Sequence, residues 1–146
     1  MFIDASAIAA VLLREPGYES LVDALIAANE PLRISPCVRF EATLAIANSE
    51  KRARDPATKA AAIRKAAEAV EIFVHSIRAV EIDVTAEIGG QAIEASAQFG
   101  KSVGHRAALN FGDCLAYACA HARGESLLFV GNDFPHTDIA PAVRAS

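Results

Sequence analysis

Four carboxylates stand where folding could gather them: Asp4, Glu41, Asp113 and Asp133. Asp4 directly follows the apolar pair Phe2-Ile3, and Asp133 follows the run Leu127-Leu128-Phe129-Val130 through Gly131-Asn132. If both runs are strands of one parallel sheet, both carboxylates leave it at the same edge. Asp113 opens the helix just before the last strand and is expected near that edge too. Glu41 stands three residues after Val38 and three before Leu44, on or beside the apolar face of its helix, where an unpaired charge is costly. Each acid alone has an ordinary structural use: Asp113 as a helix N-cap, Asp133 as a turn residue, Asp4 in an Asx turn, Glu41 in a salt bridge. Together they point to chemistry, because four like charges near one place repel unless divalent cations sit between them. Carboxylate ligands suit Mg²⁺ or Mn²⁺, and two such ions roughly 3.5–4 Å apart can activate water and stabilise the leaving oxygen of a phosphodiester.

The elements that must hold these acids are legible as alternating strands and helices. Phe2-Ile3 reads as a short buried strand running into a helix through Ala7 to Leu13, capped by Ser6. Tyr18, Leu21, Val22, Leu25 and Ile26 mark a second helix after the Pro16-Gly17 break. Leu32-Arg33-Ile34 is a strand candidate; Ser35 and Pro36 then start a helix reaching about Asn48. Asp55-Pro56 starts the longest helix, to about His75, with Ala60, Ile63, Ala67, Val70 and Val74 as its apolar stripe. Val80, Ile82 and Val84 alternate as a strand, and Thr85 caps a helix to about Phe99. Gly100 to Gly112 is a glycine-bounded loop, followed by a helix from Asp113 to about Arg123 and the strand Leu127 to Val130. Such alternation predicts one α/β domain over residues 1–146, a parallel sheet between two layers of helices.

Four blocks, M-F-I-D-A-S, S-P-C-V-R-F-E-A, L-N-F-G-D-C-L-A-Y-A and F-V-G-N-D-F-P-H-T-D-I, resemble the PIN-domain ribonucleases of the VapC toxin family in order and spacing, over nearly the whole chain. The resemblance implies an α/β/α sandwich around a parallel sheet of four or five strands. It implies an Mg²⁺-dependent endoribonuclease, with Mn²⁺ as a possible substitute, acting on RNA. The partners it implies are a cognate VapB-like antitoxin and a second copy in a homodimer. Its acidic constellation transfers to Asp4, Glu41, Asp113 and Asp133 as catalytic and metal-holding residues. Ser6 fills the place of the polar residue usual two after the first Asp; it can serve there and as a helix cap. Asn132 and Asp138 are candidates for an outer shell, Asp138 being read rather as a helix cap. One departure lies before the third acid, where relatives often carry His-Pro and this chain reads His105-Arg106.

Composition narrows the setting. The chain is 53% hydrophobic, above the usual 45–50%, and the surplus is expected to serve assembly, on the alanine-rich early helices. No apolar run reaches the roughly 18 residues of a bilayer span. Asp4 falls where a signal peptide needs a basic start and an apolar run, so a cytoplasmic protein is expected. Cys37, Cys114 and Cys119 form no C-x-x-C pair and read as small reduced core residues. His75, His121 and His136 show no ligand spacing. A net charge of −4 opposes RNA binding, but two divalent ions would offset it. Lys51, Arg52 and Arg54, with Arg64 and Lys65 further on, are either a solvated face or a seat for an RNA backbone. Two rivals remain: a non-catalytic module of the same fold, which usually shows gaps among the acids, and an Asp-nucleophile phosphatase, which needs a second Asp where Ser6 stands.

Overall fold

The computed structural model describes residues 1–51 and 54–143; Arg52 of the basic cluster lies outside them. Four two-residue strands, β1 (Phe2–Ile3), β2 (Arg33–Ile34), β3 (Val80–Glu81) and β4 (Leu127–Leu128), form one sheet in the order β3-β2-β1-β4, every pairing parallel. Among the described residues six helices accompany it: α1 (Ala5–Leu13), α2 (Tyr18–Ala27), α3 (Pro36–Ser49), α4 (Pro56–Ser76), α5 (Ala86–Phe99) and α6 (Phe111–His121). Residues 140–142 extend the ladder beyond β4, with Leu127 N–H donating to Ala140 O and Ala142 N–H to Leu127 O, each at 2.8 Å. That segment covers an edge that would otherwise invite another chain. The expected α/β/α arrangement with a parallel four-stranded sheet is what the chain forms.

Strand order decides where a site can open. From β1 the chain moves to β2 on one side, and β4 returns on the other, so the order reverses between β1 and β4. In open parallel sheets such a reversal leaves a crevice outside the carboxyl ends of the two strands. Phe2, Ile3, Ile34, Leu127 and Leu128 are at most 1% exposed, and burying each such side chain contributes about 1.5–3 kcal/mol. The crevice is therefore floored by fully buried core side chains. Among the described residues no helix is long and apolar enough to cross a membrane.

Local signals set the helix starts. Ser35 Oγ accepts from Val38 N–H with Pro36 in the first turn, Asp55 and Thr58 form a capping box, and Thr85 Oγ1 accepts from Ile88 N–H. Three expectations are corrected. The N-cap of α1 is Asp4, not Ser6. Asp113 does not open α6: Asn110 caps it, taking Asp113 N–H on its side-chain oxygen while Asp113 takes Asn110 N–H, which puts Asp113 in the third helical position. On α4 the buried stripe is Ala66, Val70 and Val74, whereas Ile63 and Ala67 face solvent because only part of this long helix meets the core. The alanines of α1 are consumed inside the chain, and the large apolar side chains left exposed lie mainly on later elements, among them Phe40, Ile72, Ile93 and Phe111.

Candidate active site

Asp4 is fixed at the carboxyl end of β1 by its own backbone, whose N–H donates to Leu128 O at 2.9 Å. Its Oδ2 accepts from Ser6 N–H at 2.9 Å and from the Ser6 hydroxyl at 2.5 Å. Ser6 Oγ in turn accepts from Val130 N–H at 3.0 Å. One hydroxyl thus ties the first acid to the segment that leads to the last. Asp4 is only 4% exposed; burial pushes its carboxyl up, and the bonds from Ser6 pull it partly back.

Glu41 comes from α3 and is half-buried. Burial, then the charges of Asp4 and Asp113, raise its carboxyl to about 7. Its position depends on a residue that sequence reasoning had treated only as the end of a loop: a Cβ at Gly112 would stand 2.1 Å from both Glu41 carboxylate oxygens. Glu41 occupies the space a side chain on α6 would fill. A glycine immediately before a functional acid was the available signal, although its tertiary partner was not.

Asp113 projects from the first turn of α6, with Oδ2 held 2.8 Å from Asn110 N. Burial raises its carboxyl, the Asn110 N–H opposes that, and Asp4 and Asp133 add to the rise. Asp133 is exposed, at the start of a 3-10 turn over Phe134–His136, and its side chain makes no capping bond. The charges of Asp4 and Asp113 thus act on Glu41, and those of Asp4 and Asp133 on Asp113. Among the described residues none of them has a basic partner. None of the described His, Cys, Asp and Glu side chains forms, as arranged, a group of three that could hold an ion. Ser6 and Asn110 tie down two of the acids and oppose part of their rise, but among the described residues no cation offsets their repulsion. The donor set nonetheless fits a hard divalent ion: all oxygen, anionic, and partly withdrawn from water.

Asn132 is exposed beside Asp133. Asp138 caps no helix; it accepts from the Tyr117 hydroxyl at 2.7 Å, bracing the final segment against α6 and helping to raise the Tyr117 phenol, for which burial is the larger cause. His105 Nδ1 accepts from Ala107 N–H at 3.1 Å, and its ring meets the edge of Phe99, so this residue shapes its own loop. His75 and His121 are exposed, and His136 is half-buried. Cys114 and Cys119 are buried and Cys37 is half-buried, all three free. Lys51, Arg54, Arg64 and Lys65 are exposed around the turn from α3 to α4.

Comparison with known proteins places the chain in a family. The PIN domain model matches residues 1–140. A VapC ribonuclease of Rhizobium meliloti is 43% identical over 143 residues, covering 94% of this chain and 98% of that protein. Ribonuclease VapC28 of Mycobacterium tuberculosis is 37% identical, covering 98% of each. The crystal structure of Mycobacterium tuberculosis VapC20, a toxin described as cleaving the sarcin-ricin loop, superimposes with a TM-score of 0.73 over 99% of this chain and 98% of that one. At 18% identity this last likeness bears on the fold alone. With nearly full-length matches on both sides, this chain belongs to the PIN-domain family and, within it, to the VapC ribonucleases.

Proposed function

We propose that this protein is an Mg²⁺-dependent endoribonuclease, the toxin of a type II toxin-antitoxin pair, that hydrolyses phosphodiester bonds in single-stranded or looped RNA in the cytoplasm. The observation that carries the reading is the electrostatic coupling of Asp4, Glu41, Asp113 and Asp133 at the β1–β4 crevice with no basic partner among the described residues. Asp4, Asp113 and Asp133 would hold metal, and Glu41 would hold a second ion or orient the attacking water. A bound Mg²⁺, or Mn²⁺ in its place, supplies Lewis-acid chemistry, neutralising phosphate charge and making water nucleophilic at neutral pH. Ser6 keeps the Asp4 carboxylate aimed, Asn110 does the same for Asp113, and Gly112 leaves room for Glu41. Rigid placement of this kind is what metal and phosphate positioning require.

The relatives' name supports a partnership with a small VapB-like antitoxin that holds the protein inactive. Exposed Ile72 and Ile93 offer apolar surface for that antitoxin or for a second copy in a homodimer. A phosphatase using Asp4 as nucleophile is disfavoured, since Ser6 stands where the second Asp is required and its hydroxyl is spent on Asp4. A non-catalytic module of the same fold is disfavoured because no acid of the set is missing. The deciding experiment maps new RNA ends across total RNA after a brief pulse of expression, beside an Asp4→Asn control, and repeats the cleavage with purified protein in EDTA. New ends with wild type, none with Asp4→Asn and none in EDTA are expected. Full-rate cleavage in EDTA, or equal cleavage by Asp4→Asn, overturns the reading.

A further inference from the structure

Two of the seven phenylalanines stay largely outside the fold: Phe40 is 65% exposed and Phe111 81%. Both line one cleft of about 410 Å³ with Pro36, Cys37, Gly112 and Glu41. They flank the candidate site in sequence as in space, Phe40 immediately before Glu41 and Phe111 two residues before Asp113. Glu41 itself lines the cleft, and Gly112 of its wall is the residue next to Asp113, so the cleft adjoins the acid group.

The charge of the lining selects the occupant. Among the described residues Glu41 is the only carboxylate in its lining, the other walls are almost wholly apolar, and no cation lines it. A phosphate would be repelled there, whereas a flat, uncharged aromatic group would gain contact with exposed rings. Base stacking on aromatic side chains is tolerant of sequence because every base has a π-face. We propose that Phe40 and Phe111 form a seat for one unpaired nucleobase of the RNA beside the scissile phosphodiester, leaving the phosphate itself to the acids. This seat rests on the ribonuclease reading above and adds to it a defined place for one unpaired base beside the cut.

The test uses the full chain and a short single-stranded RNA spanning a mapped cleavage site, with 2-aminopurine replacing each base next to the cut in turn. Ca²⁺ replaces Mg²⁺ to slow cleavage during binding. Wild type is expected to quench the fluorophore at one position. Phe111→Ala and Phe40→Ala should lose that quench and weaken RNA binding by about 5- to 150-fold. Phe111→Trp should restore both. Thermal stabilisation by added Mn²⁺ should be the same in all variants, which separates the seat from metal binding and from misfolding. Unchanged quench and affinity in both alanine variants overturn the seat, including the outcome in which sedimentation shows that the rings serve a protein contact instead. If wild type neither binds nor cuts that RNA, the ribonuclease reading fails, and the seat falls with it.

Discussion

Arg39 and Glu41 lie two residues apart on α3 and meet opposite surroundings. Arg39 reaches two carboxylates, Glu71 of α4 through Nη1 and Glu81 of β3 through Nε, the latter at 2.7 Å. Glu41 turns toward Asp4 and Asp113 and, among the described residues, meets no cation. A similar balance to that at Arg39 appears where Arg33 and the Met1 ammonium share Glu125. Acids that hold elements together are matched with cations, while those at the β1–β4 crevice are massed and partly desolvated. The cost at the crevice is less the missing ion pairs, which contribute little at a surface, than the desolvation and mutual repulsion of like charges, which ordinary packing has no reason to accept. The contrast is what the proposed cation site at the crevice rests on.

The contrast is broken most forcefully by removing one unmatched charge. Asp4→Asn or Asp113→Asn should cut RNA cleavage by at least about 100-fold, since metal assistance is worth several kcal/mol. In metal-free buffer the same variants should melt at or above the wild-type temperature, because one repelling charge is gone at nearly constant volume. Added Mg²⁺ should then stabilise wild type more than variant. Calorimetry with and without Mg²⁺ reads both signs. A variant that is less stable without metal yet fully active would make these acids structural caps.

A smaller effect is expected from Gly112→Ala. A methyl group there must displace the Glu41 carboxylate, so cleavage should fall by about 10- to 100-fold, as for other groups that orient metal ligands. Stability should hold or improve, since Ala favours the helix over Gly by roughly 0.5–1 kcal/mol. Gly112→Ala combined with Glu41→Gln should be no slower than Glu41→Gln alone, because the two changes act on one group. Additive losses would disconnect Gly112 from Glu41.

How far the sequence foretold these features depends on the range of the interaction. Ser35, Asp55 and Thr85 announced their helices because a cap bonds its own next turn. At Asn110-Phe111-Gly112-Asp113 the sequence offers two cap-competent residues three apart, and the reciprocal bonds decide for Asn110. Asp4 and Asp133 drew notice because each follows an apolar run read as a strand, Asp113 because it stands at the start of a helix, and Glu41 because its charge falls beside the apolar face of α3. The Ser6 bond to Val130 and the fit of Glu41 against Gly112 join segments distant in the chain, and no local pattern encodes either.

Titration gives a finer measure of the same difference. The Glu41 carboxyl lies near 7 when folded against an ordinary 4.5, so the folded protein binds this proton more tightly than the unfolded chain does. Metal-free stability should therefore rise as pH falls from about 7 toward about 4.5. Glu41→Gln should flatten that dependence without abolishing it, since Asp4 and Asp113 are raised too. Melting curves across this window check the prediction, and an unchanged slope in Glu41→Gln would count against the coupling. Least of all should follow from Arg39→Met. The side chains of Arg39, Glu71 and Glu81 are 37%, 44% and 34% exposed, so the loss should stay within about 1 kcal/mol and shrink with salt, leaving RNA cleavage as it was.

The central place of β1 also bears on synthesis. Its neighbour β4 comes more than 120 residues later, and the Ser6 hydroxyl finds Val130 only after that strand has docked. Contacts so far apart form late, because the intervening chain must be closed before they repay its lost entropy. A polypeptide still being made, or halted before Leu127, has Asp4 and Glu41 but neither β4 nor the segment carrying Asp133. The ribosome can therefore emit most of this chain before any complete cleft exists to cut the RNA around it.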